Sequence, residues 1–469
     1  MEIDSIKNLG GVVLKNNKYE IDMCNGTIMD KLVSFSLPLM LSGILQLMFN
    51  AVDIIVVGQF TGSEALAAVG STTALIAVFT NLFIGISLGA NVLAARFYAS
   101  GKNKEMSETV HTAIALAFVS GMIMAVVGLL FSRLALEIMG TPDNVIDQST
   151  LYMRIYFLGM PFLFMYNVLA SVFNAMGDSR TPLFLLIFSS LLNVVLDIIS
   201  VTSMGMGVDG VAIATVMAQG ISVCISFGVL LHRLKGYDHT GDEVPFKRYD
   251  RHMLAVGTKI AVPTILQQSI VSIGMLLVQS VVNGFGSGAL AGYSAASRIE
   301  SICIVPMIAT GNAVATFTAQ NIGAGQKERV KKGYAASYGL IFGFAVFIAA
   351  VIALFKGPII SSFLQGDTAS TAYSVGYGYL SFIGWFFALI GLKACTDAVL
   401  RGAGDVLVFT AANLVNLAIR VFAAFQFAPV WGVAAVWYAV PMGWGANYLI
   451  SFIRYLSGKW MDRRVIEEK

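Results

Sequence analysis

Two carboxylates, Asp53 and Asp197, stand inside long apolar stretches of a 469-residue chain. An ionisable group at such a position costs at least about 2.5–3.5 kcal/mol at a bilayer centre, so each one present is informative. Asn193 precedes Asp197 by four residues, which puts both on one face if the segment is helical. Thr215 follows in the next apolar stretch. Two carboxylates with an amide and a hydroxyl oxygen suit a hard cation such as sodium or, after protonation, a proton. The competing reading is that both acids are structural and satisfied by helix contacts. The second half of the chain offers Lys393 and Asp397, spaced i,i+4, and Arg420 with Asn416 four residues before it. These read either as structural ion pairs or as contacts to a substrate, as do Arg298 and Glu300.

The elements that must position these groups follow from composition. Hydrophobic residues make up 57% of the chain and charged residues 12%, where soluble domains carry about a quarter. Mean hydropathy is +0.77. So much apolar surface needs lipid rather than a single buried core. Apolar runs of bilayer-spanning length fall near 34–58, 66–95, 109–132, 150–175, 181–203, 207–231, 254–283, 290–322, 333–355, 373–399, 406–428 and 431–456. On these bounds Asp53, Asp197 and Thr215 lie about 8, 9 and 12 Å from the outer ends of their helices, a shared depth that favours a site.

The expected fold is an all-α integral membrane protein of twelve transmembrane helices. It divides into a tail at 1–30, a six-helix lobe at 31–231, a linker at 232–253, a second six-helix lobe at 254–456 and a tail at 457–469. Lys and Arg cluster in alternate loops and at the C-terminus, while the opposite loops carry only Arg133 and Lys356. This asymmetry predicts that both termini and the linker are cytoplasmic. The lobes also repeat in sequence. Ala65–Gly70 recurs as Ala289–Ser294, Ala99–Met106 as Gly323–Val330, Pro38 as Pro263 and Asn174–Asp178 as Arg401–Asp405, all at nearly one offset. Six helices per copy is an even number, so the copies are parallel, an arrangement used by transporters.

Other chemistries find little support. The four cysteines form no CxxC and the four histidines have no ligand spacing. A formal charge of +3 is too small to argue for nucleic acid. There is no Walker A motif, and Gly284–Gly288 lacks the strand–helix context of a nucleotide loop. No nucleophilic triad argues for an enzyme, and no cofactor is expected.

The stretch Ser36–Gly70, with Phe173–Pro182, Asn193–Asp197 and Ala319–Val330, resembles the multidrug and toxic compound extrusion family. The likeness runs from about residue 30 to residue 456. It implies two six-helix lobes around a central cleft and alternating access driven by inward sodium or proton flow. In the branch with acids in the first lobe, it implies a cation site at Asp53, Asn193, Asp197 and Thr215. The second lobe departs from the acid-bearing pattern of another branch. Its first helix has Gln267, Gln268 and Gln279 but no acid, and Asp405 is followed by Val-Leu-Val-Phe. The implied function is a plasma-membrane antiporter, expected as a monomer among membrane lipids, that exports cationic or amphipathic small molecules. The alternatives are a flippase for lipids or lipid-linked saccharides, and a receptor or scaffold without transport.

Overall fold

A computed structural model of the chain describes residues 8–9, 12–13, 19–234, 251–364 and 370–462. Several side chains within the first helices, Asp53 among them, lie outside the described set. Most of the expected linker and parts of both tails lie outside it as well.

The helices of the first half are α1 (Ile28–Phe60), α2 (Ser63–Ala99), α3 (Asn103–Ile138), α4 (Ile146–Leu158), α5 (Met160–Ala175), α6 (Arg180–Ile198) and α7 (Val208–Leu234). Those of the second are α8 (Arg251–Asn283), α9 (Ser287–Gly323), α10 (Lys327–Phe363), α11 (Thr371–Ile383), α12 (Phe387–Gly402), α13 (Val406–Trp431) and α14 (Ala434–Leu456). Among the described residues nine spans are long and apolar enough to cross a membrane, one of them the broken run α11–α12, and the bent pair α4–α5 makes a tenth. With α2 and α14 they form the twelve spans that the apolar runs predict. Large side chains such as Leu130, Val346, Phe347 and Leu354 are exposed on these helices, as a lipid-facing surface requires.

Three spans are not the continuous helices that their apolar runs suggest. The fourth bends by 46° between α4 and α5. Pro161 stands at that break, where it has no N–H for the ladder. The tenth is interrupted by a 3-10 turn at Gly384–Phe386 between α11 and α12. The fifth, α6, runs directly into a π-helical turn at Ile199–Ser203.

The chain forms two compact units, with one border in the segment before α1 and two inside helices. One holds Met1–Asp22 and Leu41–Val262, the other Met23–Met40 and Pro263–Lys469. The sequence boundaries at 31 and 254 were drawn where apolar runs begin, whereas the units change over within α1 and α8. Both changeovers fall at or near a helix-internal proline, Pro38 in α1 and Pro263 in α8. Proline removes one ladder bond and crowds the preceding turn, so the two halves of such a helix can serve different packing partners.

The repeat is legible in the backbone. Gly62 before α2 and Gly286 before α9 both have φ of 89°. Gly101 and Gly325, in the turns after α2 and α9, have φ of 70° and 73°. Residues with side chains rarely adopt these values, so the same turn is built at equivalent places in each unit.

Candidate functional site

In the first unit, α6 presents one buried stripe: Pro182, Leu186, Ser190, Asn193 and Asp197. Its i,i+3 and i,i+4 spacing is that of a single helix face. Asp197 is fully buried and Asn193 nearly so. The packing of α6 on α7 lets Asn193 Nδ2 donate to Thr215 Oγ1 at 3.3 Å. The Thr215 hydroxyl in turn donates to the Val211 carbonyl at 3.0 Å. The π turn begins two residues after Asp197, and the buried Ser200 hydroxyl donates to the Asp197 carbonyl at 3.0 Å. Such a turn widens the helix and frees backbone groups, which is why π bulges recur at binding sites.

An apolar cluster joins α1, α2, α4, the π turn and α7. Val57 of α1 packs with Ala65, Ala68 and Val69 of α2, Tyr152 of α4, Val201 of the π turn, and Val211 and Ala212 of α7. Asp53 lies four residues before Val57 on α1, and its side chain is outside the described residues. The structure therefore brings Asn193 and Thr215 together and buries Asp197 on the same α6 face.

In the second unit Lys393 and Asp397 form the pair that their spacing suggested, with Nζ 3.1 Å from Oδ2. The pair sits inside a larger network. Lys393 also donates to Asn413 Oδ1 at 2.9 Å, and Asn413 Nδ2 donates to Asp397 Oδ2 at 3.2 Å. Ser451 donates to Asp397 Oδ1 at 2.6 Å. With its amide nitrogen turned toward the carboxylate, Asn447 donates to the same oxygen at 2.9 Å. Asp397 on α12 thus accepts from α13 and α14 as well as from its own helix. A carboxylate so fully bonded is a structural junction more than an open ligand. Sequence reasoning missed Asn413, Asn447 and Ser451. The signal available was the i,i+4 spacing of Asn447 and Ser451 in an otherwise apolar helix.

Arg420 does not join that network. Among the described residues it makes no hydrogen bond or ion pair, and its buried Nε is unbonded. Its charge lies within electrostatic reach of Glu300, Tyr293 and Tyr379. Glu300 on α9 is buried and accepts a hydrogen bond from the Tyr379 hydroxyl of α11. Tyr379 stacks on Tyr293 at 5.6 Å and on Trp437 at 5.5 Å. The exposed Arg298, expected beside Glu300 on the sequence, has no part in this stack.

Both units carry a Gly-Asp turn closed by an arginine. In the first, Asp178 Oδ1 accepts the backbone N–H groups of Arg180 and Thr181 at 3.0 and 2.9 Å, capping α6. Its Oδ2 lies 2.6 Å from Arg233 Nη1, and both side chains are under a tenth exposed. In the second, Asp405 Oδ2 lies 2.5 Å from Arg454 Nε. Among the described residues no group of histidine, cysteine and acidic side chains is arranged to hold a metal ion.

Known proteins share both the sequence and the fold. The MatE family profile matches residues 38–199 and 263–425. The probable multidrug resistance protein YpnP of Bacillus subtilis is 28% identical, over 96% of this chain and 99% of its own. The probable multidrug resistance protein YoeA of the same organism is 30% identical, over 92% of this chain and 94% of its own. A solved MOP superfamily transporter from Pyrococcus furiosus superposes with a TM-score of 0.86 at 22% identity, covering 96% of this chain and all of that one.

Proposed function

Because this chain belongs to the MatE family, and is therefore a multi-pass membrane transporter and not an enzyme, we propose that it exports cationic or amphipathic small molecules in exchange for sodium ions or protons. The coupling cation binds in the first unit, held by Asp53, Asn193, Asp197 and Thr215. The observation that carries this reading is the fully buried Asp197 on the same α6 face as Asn193, whose amide meets Thr215 from α7. A buried carboxylate beside neutral oxygens can bind a cation or a proton but not both, so an ion gradient can drive a change of state. The names of the two Bacillus subtilis relatives support efflux of drugs. The loop bias in Lys and Arg supports cytoplasmic termini in the cell membrane.

The test is efflux of a cationic dye from everted vesicles, with sodium and proton gradients imposed separately. Asp197→Asn keeps size and polarity but removes the charge, so it should fold normally and lose gradient-driven efflux under either gradient. Full gradient-dependent efflux by that variant at normal expression would refute the assignment.

A further inference from the structure

Arg420 is the charged residue whose surroundings the cation-exchange reading leaves unexplained. It lies on α13 about 16 Å from the helix end at Trp431, deep in the span. An arginine at that depth is costly unless its donors are satisfied. Its stem is held firmly. A Cβ on Gly443 of α14 would come within 2.8 Å of Arg420 Cγ and 2.2 Å of Asn416 Oδ1. Its head is not held: the buried Nε has no acceptor among the described residues, and neither Asn416 Oδ1 nor Nε finds a partner.

The nearby acid does not fill this vacancy. Glu300 offsets the charge from a distance, and its carboxylate is instead occupied by Tyr379. Tyr379 is fixed in its turn by stacking between Tyr293 and Trp437. The second unit thus holds a guanidinium with a pinned stem, unused donors and a counter-charge that does not bond it. A guanidinium presents a planar fork that matches two oxygens of a carboxylate or a phosphate.

We propose that Arg420 binds an oxyanion, a carboxylate or phosphate group carried by the transported molecule. The exporter's substrates then include amphipathic compounds with a negative group, received in the second unit. Glu300 lies within electrostatic reach of Arg420, so it weakens oxyanion binding and limits it to ligands that make a bidentate contact. The inference rests on the exporter reading for its ligand being cargo, and on the Arg420 surroundings for its chemistry.

The experiment compares riboflavin with riboflavin 5′-phosphate, fluorescent molecules that differ only in the oxyanion. Binding of each to the purified full chain is followed by fluorescence anisotropy in nanodiscs of neutral lipid. The phosphate form should bind at least about tenfold more tightly, the scale of one charge-assisted bidentate contact. Arg420→Gln should erase that preference, and Arg420→Lys should retain part of it. Glu300→Gln should tighten the phosphate form several-fold, a gain that misfolding cannot produce. Equal affinities for the two flavins, or a preference that survives Arg420→Gln, would overturn the proposal. Loss of the preference when phosphatidylglycerol is added would assign the oxyanion to a lipid headgroup and overturn the cargo assignment. Cationic-dye efflux tests the exporter reading separately. Failure there with the phosphate preference intact would remove the transport reading and keep the site.

Discussion

The two units share a frame and differ in charge at its centre. The sequence repeat places a proline inside the first helix of each half, Pro38 and Pro263, and each unit has a positive-φ glycine before its second helix and a Gly-Asp turn closed by an arginine from its last helix. Further along the fifth and eleventh spans the likeness ends. Asn193 and Asn416 occupy corresponding places, but the residue four positions later is Asp197 in one unit and Arg420 in the other. Groups that close turns and terminate helices serve the same physical purpose in both copies, so they recur. The side chains that follow Asn193 and Asn416 on their helix faces serve no turn that the two copies share. What stands there is free to differ between the copies, and here it differs in sign.

The largest expected effect tests the shared frame. Asp178→Asn leaves Arg233 without its closest carboxylate in a place where both side chains are under a tenth exposed. Breaking a buried pair from one side costs about 3–5 kcal/mol. The purified variant should unfold at clearly lower temperature. Asp405→Asn should do less harm, because Arg454 is 21% exposed and can turn to solvent. Equal losses would mean that burial does not set the difference between the two turns.

A middle-sized effect concerns the Lys393–Asp397 network of the second unit. Lys393→Met leaves the Asp397 carboxylate without its cation, although Asn413 and Ser451 still donate to it. Folded yield should fall, and Asp397→Leu added to Lys393→Met should recover much of it, because no uncompensated charge remains. If the single and double variants behave alike, the two side chains are not coupled and the junction is held by the neutral donors.

The smallest effect probes the differing centres. Asn193→Ala removes one neutral bond, worth about 0.5–1.5 kcal/mol. It should raise the sodium or proton concentration for half-maximal dye efflux by a few-fold with little change in maximal rate. Asn416→Ala, the matching change in the second unit, should leave that concentration unaltered. An equal shift from both would show that cation coupling is not confined to the first unit.

Much of this protein is written locally. The twelve spans follow from the length of apolar runs, because a bilayer demands a fixed length of apolar helix. The repeat follows from matched strings at one offset, and the Lys393–Asp397 pair from i,i+4 spacing on one helix. The broken spans are only half visible, since Pro161 is a signal for the bend at α4–α5 while no proline marks the π turn after Asp197.

What lies beyond local reading is which helices are neighbours. Asn193 meets Thr215 twenty-two residues on, Asp397 meets Ser451 fifty-four on, and Glu300 meets Tyr379 seventy-nine on. Periodicity reports the face that a residue occupies on its own helix but is blind to the helix packed against that face. The changeover of α1 and α8 between the compact units is hidden for the same reason. The chain is mainly apolar on both sides of Pro38 and Pro263, and packing decides which unit each half joins. The sequence by itself determined a twelve-span duplicated transporter with Asp197 in one half and Arg420 at the matching place in the other. The tertiary structure decided that Asp397 is saturated by its neighbours while Arg420 is not, because hydrogen-bond satisfaction depends on groups brought in from other helices.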